Sequence, residues 1–236
     1  MQDRYAGDVG DFAKYGLLRA LTDTTQLGVA WYLYPDERHN SDGKHIDYLK
    51  SPGRWRHLDP ELFDALGEIV TSRHRSLASV ERADVLPEAR FSRRLLKFDG
   101  APTMRRAQRA EWFEQTKADL APAPVIFADP DNGLCDDERY SPGRQAHWKR
   151  IPFCEVSALA ESRTAIIYHH NTRRKGGHAL EIQYWLDQMG SDAFALYWRP
   201  FSPRTFFVIS PTEDLRRSAE VVVERWTPHF ELHCLQ

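Results

Sequence analysis

The sequence is short of cysteine, net charge, long apolar runs and the loop motifs of several large enzyme classes. Its three cysteines in 236 residues, Cys135, Cys154 and Cys234, are odd in number and far apart. That argues against a disulfide framework or a structural zinc knuckle and for reduced thiols in the cytoplasm. No stretch reaches the roughly 18 apolar residues of a membrane span. The opening "MQDRYAGDVGDFAKYG" is charged from Asp3 onward and lacks the apolar core of a signal peptide. With 32 basic and 34 acidic residues the net charge is −2, so no overall basic field draws the chain to nucleic acid, although a local patch could. The phosphate loop Gly-x-x-x-x-Gly-Lys-Ser/Thr, the Gly-x-Ser-x-Gly elbow and His-Glu-x-x-His are missing, which sets aside the classes built on them. There is no internal repeat or low-complexity linker.

What is present is core material in a regular alternation. Apolar residues make up 42% and aromatics 12%, enough to bury one core in a single domain spanning 1–236. Asp8 or Asp11 caps a helix reaching Leu21, with Phe12, Leu17, Leu18 and Leu21 on its apolar face. "GVAWYLYP" reads as a buried strand stopped by Pro35, and a polar loop over 36–44 follows. A helix is expected over Pro60–Thr71, and the apolar run "SLASVE" reads as a second strand.

"TMRRAQRAEWFEQTKADL" has helical periodicity, ends before Pro122 and Pro124, and delivers the chain into the strand "PVIFA". A helix around 153–161 precedes the strand "TAIIYHH", and "GGHALEIQYWLDQM" is a helix with Leu180, Tyr184, Trp185 and Met189 on one side. "AFALYWR" and "RTFFVIS" form an antiparallel hairpin around Pro200 and Pro203. This alternation predicts a three-layer α/β domain with a mostly parallel sheet and a C-terminal antiparallel hairpin. Ligands in such sheets bind outside the carboxyl ends of the strands.

Three predicted strands end in chemistry-bearing residues: Tyr34-Pro35-Asp36-Glu37, Asp129-Pro130-Asp131-Asn132 and Tyr168-His169-His170-Asn171. If the strands are parallel, Asp36, Asp129, Asp131, His169 and His170 meet at one edge, where they could hold a metal, move a proton or grip an amine. The plainer reading makes Asp129 a helix cap, Pro130 and Gly133 a turn, and one histidine a satisfied core residue. At the start, "GDVGDFAKYG" sets Asp8, Asp11 and Lys14 between glycines; an ordinary N-cap with a solvated lysine is the alternative. The runs "SRHRS", "RFSRRLLK" and "MRRAQR", between Arg73 and Arg109, are either solvated helix faces or one basic surface for nucleic acid.

The opening "GDVGDFAKYGLLRAL", the run "FADPDNGL" and the closing "FFVISPTEDL" together resemble the bacterial large-subunit ribosomal RNA adenine methyltransferases. These use S-adenosylmethionine and carry Asp-Pro-Pro-Tyr where this chain has Asp129-Pro130-Asp131-Asn132. The resemblance implies a Rossmann-like methyltransferase-type sheet and an Asp129 that holds the target amine. It also implies a cofactor near Asp8, Asp11, Lys14, Tyr34, Asp36 and Asp42. The second proline and the aromatic that stacks a flipped base are replaced by Asp131 and Asn132, and no glycine-rich turn follows the first strand. "DPDNGL" is also similar to the Asp-x-Asp of metal-dependent Toprim nucleases, where paired acids hold magnesium.

Three readings follow. The leading one is methyl transfer from S-adenosylmethionine to a nitrogen of a nucleic acid or related acceptor, with Asp129 and Asn132 handling the amine. The second is a nuclease or phosphohydrolase using magnesium or manganese on Asp129 and Asp131, with Asp36, His169 or His170. The third is a non-catalytic binding module on the same fold.

Overall fold

The computed structural model describes residues 1–37, 43–72 and 75–235. In chain order the helices are α1 Val9–Leu21, α2 Pro52–Trp55, α3 Pro60–Thr71, α4 Leu77–Arg82, α5 Pro102–Asp119, α6 Phe153–Leu159, α7 Gly177–Met189 and α8 Glu213–Arg225. The strands are β1 Leu27–Ala30, β2 Arg90–Ser92, β3 Val125–Ala128, β4 Leu134–Cys135, β5 Ile151–Pro152, β6 Thr164–His170, β7 Phe194–Trp198, β8 Arg204–Ile209 and β9 Phe230–Cys234. Seven strands form one sheet in the order β2-β1-β3-β6-β8-β7-β9. The first four are parallel; β8 is antiparallel to both β6 and β7, and β9 is antiparallel to β7. The fold is therefore the expected α/β type, with a mostly parallel half and an antiparallel C-terminal half.

Both sheet faces are covered, as parallel strands require. Side chains alternate across β3 and β6: Val125, Phe127, Ile166 and Tyr168 enter a core shared with α1, α3, α4 and α8. Ile126, Ala128, Ala165 and Ile167 enter a second core with α5, α6 and α7. Burying each fully enclosed Ile or Phe contributes about 1.5–3 kcal/mol, so this two-sided pattern fixes the strand register. No helix among the described residues is long and apolar enough to cross a membrane. The three cysteines are free; Cys135 is buried, while Cys154 and Cys234 are exposed.

Two expectations are corrected. "SLASVE" is not a strand but the helix α4: the Ser76 hydroxyl accepts from Ser79 N at 3.2 Å, and the buried Leu77 and Val80 are spaced three apart, a helical rather than an alternating pattern. The strand neighbouring β1 is instead β2, which lies in the polar run "RFS". The first strand is also shorter than "GVAWYLYP", because Tyr32 adopts a left-handed φ of 46° and ends the ladder after Ala30. Beyond it only an isolated bridge, Leu33 to Leu95, continues the pairing.

Candidate functional site

The site begins with the cap of α1. The Asp8 side chain accepts from Asp11 N at 2.9 Å, and Gly7, at φ 78°, turns its own N–H onto Asp11 Oδ2 at 3.0 Å. One turn on, Lys14 points inward beneath the carboxyl end of the sheet. Its Nζ donates to Asp11 Oδ1 at 2.8 Å and to Asp129 Oδ2 at 2.7 Å, joining positions 115 residues apart in the chain. All three side chains are buried. Burial opposes the lysine's charge, but the two carboxylates outweigh it and hold its pKa above the ordinary range. Burial raises Asp11 and Asp129 above the usual carboxylate range, against the pull of Lys14.

The turn after β3 is shaped by Gly133 at φ 67°, where a Cβ would come within 2.4 Å of His169 Nδ1 and 2.9 Å of His170 N. A side chain does not fit there without moving the β6 backbone. Asp131 accepts from the Met1 amine at 2.6 Å and from Gln2 Nε2 at 2.6 Å. Burial works against its charge, yet the amine and Gln2 bring its pKa below the usual value. The same amine donates to the carbonyls of Tyr32 at 2.9 Å and Asp129 at 3.2 Å. Met1 thus occupies the crevice between the ends of β1 and β3.

Beside these groups opens a cavity of about 420 Å³. Of the residues expected at the site, Asp8, Asp11, Lys14, Asp129, Asp131, Asn132 and His170 line it. Tyr34 and Asp36 do not: the Tyr34 hydroxyl accepts from Gln145 at 2.8 Å, and Asp36 accepts from Arg4 N at 3.3 Å near the surface. Asp42 lies outside the described residues.

His169 is on the other side of the sheet, because successive residues of a strand face opposite ways. Tyr168 and His170 line the first cavity, whereas His169 lines a second one of about 290 Å³ with Glu181, Arg150 and Arg174. There Leu134 N donates to His169 Nδ1 at 3.0 Å, so the ring proton sits on Nε2 and goes to Glu181 Oε1 at 3.2 Å. Burial keeps the ring's pKa below its usual value despite Glu181. Both ring nitrogens are committed.

Several arginines of the basic runs are engaged within the chain. Arg75 donates to the carbonyls of Ala6 and Gly43, Arg93 pairs with Glu81, and Arg94 with Asp119. Arg109 is buried against Glu155 at 2.6 Å; Arg73 lies outside the described residues. Sequence reasoning missed Met1, Gln2 and Arg204, and it named Tyr168 at its strand end without choosing it for the site. For Arg204 a signal existed: the first residue of a hairpin's return strand sits level with the carboxyl end of its neighbour, and here Arg204 pairs with His170. Among the described residues no group of three or more His, Cys, Asp or Glu is placed to hold a metal ion.

Compared with known proteins, the sequence matches no family model and no curated protein.

Proposed function

We propose that the chain is an S-adenosylmethionine-dependent methyltransferase-like enzyme acting on a nitrogen of a nucleic acid or related acceptor. The observation that carries this reading is the 2.7 Å contact of Lys14 with Asp129 on the wall of the cavity. The two motif residues that the resemblance assigns to cofactor and acceptor meet there, at the carboxyl end of parallel strands. The sheet supports the reading too, since its closing hairpin folds back so that β8 lies between β6 and β7.

The residues present fit the cofactor on the α1 side of the cavity, not in the crevice that Met1 fills. Asp8 uses one oxygen as the cap and leaves the other open to an ammonium group. The acids around Lys14 offer a sulfonium a negative surrounding. The bound cofactor supplies a methyl group to the acceptor nitrogen, the C–S electron pair staying on sulfur while the nitrogen gives up a proton. Asp129 keeps its Oδ1 for the acceptor amine, because Lys14 takes Oδ2. Its raised pKa suits a carboxylate that accepts a hydrogen bond and then a proton. Asn132, half-buried on the cavity wall, orients the amine, while Lys14 fixes Asp129 in place.

Calorimetry on the purified protein tests the proposal. Heat of binding is expected for S-adenosylmethionine and not for magnesium or manganese. No heat at millimolar S-adenosylmethionine would reject it, and saturable heat with manganese alone would favour a metal-dependent hydrolase.

A further inference from the structure

The loop between β7 and β8, together with Arg204 at the start of β8, carries two features that methyl transfer leaves unused. Arg204 is only 7% exposed and lines the cavity. It spends its Nε on the Ser202 carbonyl at 3.0 Å, while Nη1 and Nη2 have no acceptor among the described residues. The guanidinium lies on the first turn of α1, where Gly10 has no side chain: a Cβ there would fall 1.4 Å from Nη1. A guanidinium that lines a cavity with two open nitrogens offers them to an incoming acceptor, and its planar fork matches a phosphate oxyanion. His170 is its cross-strand partner, and the exposed Lys44 adds a second cation farther out, beside His45. A single carboxylate needs no such extension; a phosphate backbone does.

Three residues earlier, Phe201 is 53% exposed. Its φ of 60° is one that few residues other than glycine adopt, and strain of this kind persists where the surroundings impose it. The ring lies 5.8 Å from His45, which lines the cavity, and 6.1 Å from Trp55 between ring centroids. The turn from Asp129 to Leu134 has no aromatic residue, so a base brought to Asp129 finds no ring there to stack on.

We propose that the β7–β8 loop, together with Arg204 at the start of β8, is the acceptor-binding element of this site: Phe201 stacks a base swung out of single-stranded nucleic acid, and Arg204 grips the adjacent phosphate. The proposal rests on the reading of the site as one that transfers a methyl group to a nucleic-acid nitrogen.

The test is fluorescence anisotropy of a labelled single-stranded oligonucleotide without S-adenosylmethionine, with parallel calorimetry of the cofactor. Wild-type protein binds the strand, less tightly as salt rises. Arg204→Gln and Phe201→Ala each weaken binding by roughly tenfold, the size expected for one charged hydrogen-bonded contact or one stacked base. Phe201→Ala also abolishes the wild-type preference for a complete strand over one with an abasic position. Gly10→Ala controls for folding: alanine favours the helix, and the flexible end of Arg204 swings aside, so affinity drops while the melting temperature holds.

Absence of wild-type binding, or wild-type affinity in any of the three variants, overturns the proposal. So does loss of cofactor binding in Arg204→Gln with strand affinity intact, which assigns the fork to the cofactor's carboxylate. If the strand results hold but wild-type protein gives no heat with S-adenosylmethionine, the methyl-transfer reading falls and the nucleotide-binding loop stands.

Discussion

Strand β6 separates two cavities that use similar residue types to opposite ends. On the side of His169 the histidine and its carboxylate partner are fully answered: Leu134 N and Glu181 take the two ring nitrogens, and Glu181 also accepts from Thr172 N at 2.9 Å and Thr172 Oγ1 at 2.5 Å. On the side of Tyr168 and His170 the groups are answered only in part. Asp8 has an open oxygen, one lysine serves two acids, and Arg204 has two open nitrogens. Full satisfaction is what a structural polar cluster needs. Spare capacity in a buried place marks the side where a ligand completes the set.

The contrast can be broken at the lysine first. Lys14→Met leaves Asp11 and Asp129 buried without a shared cation, and should cost about 3–5 kcal/mol in urea unfolding. A loss below about 1 kcal/mol would mean that the three charges are solvated, and the contrast would disappear. Asp129→Asn comes next: Lys14 keeps Asp11, so the fold holds, but turnover should fall by about a hundredfold, or about 2.7 kcal/mol of barrier. Full turnover in that variant would reduce "DPDNGL" to architecture.

On the saturated side the effects should be smaller. Glu181→Gln keeps an oxygen for His169 and should cost only about 1 kcal/mol, with cofactor heat unchanged; altered binding would show that the second cavity takes part. The smallest effect is the pH dependence contributed by His169. Its folded pKa lies below the ordinary 6.5, so as pH falls through that value the unfolded chain gains a proton that the folded one refuses, and stability declines. His169→Gln should flatten the denaturation slope between about pH 6.5 and 5. An unchanged slope would assign the acid sensitivity to other histidines, such as His229 or His233, whose pKa values burial also lowers.

The parallel core was legible because β1, β3 and β6 are short apolar runs between helix signals, and Asp129, Lys14 and Asp8 were legible because charge at a strand end or a helix start is conspicuous. His169 was misplaced because two adjacent residues of one strand were set at one site, although strand alternation puts them on opposite faces; only the cavity linings show that His170 is the one on the Asp129 side. Strand β2 escaped notice because three residues, "RFS", at a sheet edge need no apolar alternation. The partners of Asp131 come from Met1 and Gln2, contacts that span about half the chain and leave no periodic trace.

The packing of Arg204 on Gly10 constrains the order in which sequence change can proceed. With arginine at 204, any side chain at 10 displaces the guanidinium; with a small residue at 204, alanine at 10 strengthens the helix without penalty. The two positions are therefore epistatic with a preferred direction. A lineage can lose the arginine and then drift away from glycine, but regaining the arginine in its seat requires glycine to return first. Related chains with arginine at 204 should have glycine at 10, whereas glycine at 10 can stand without the arginine.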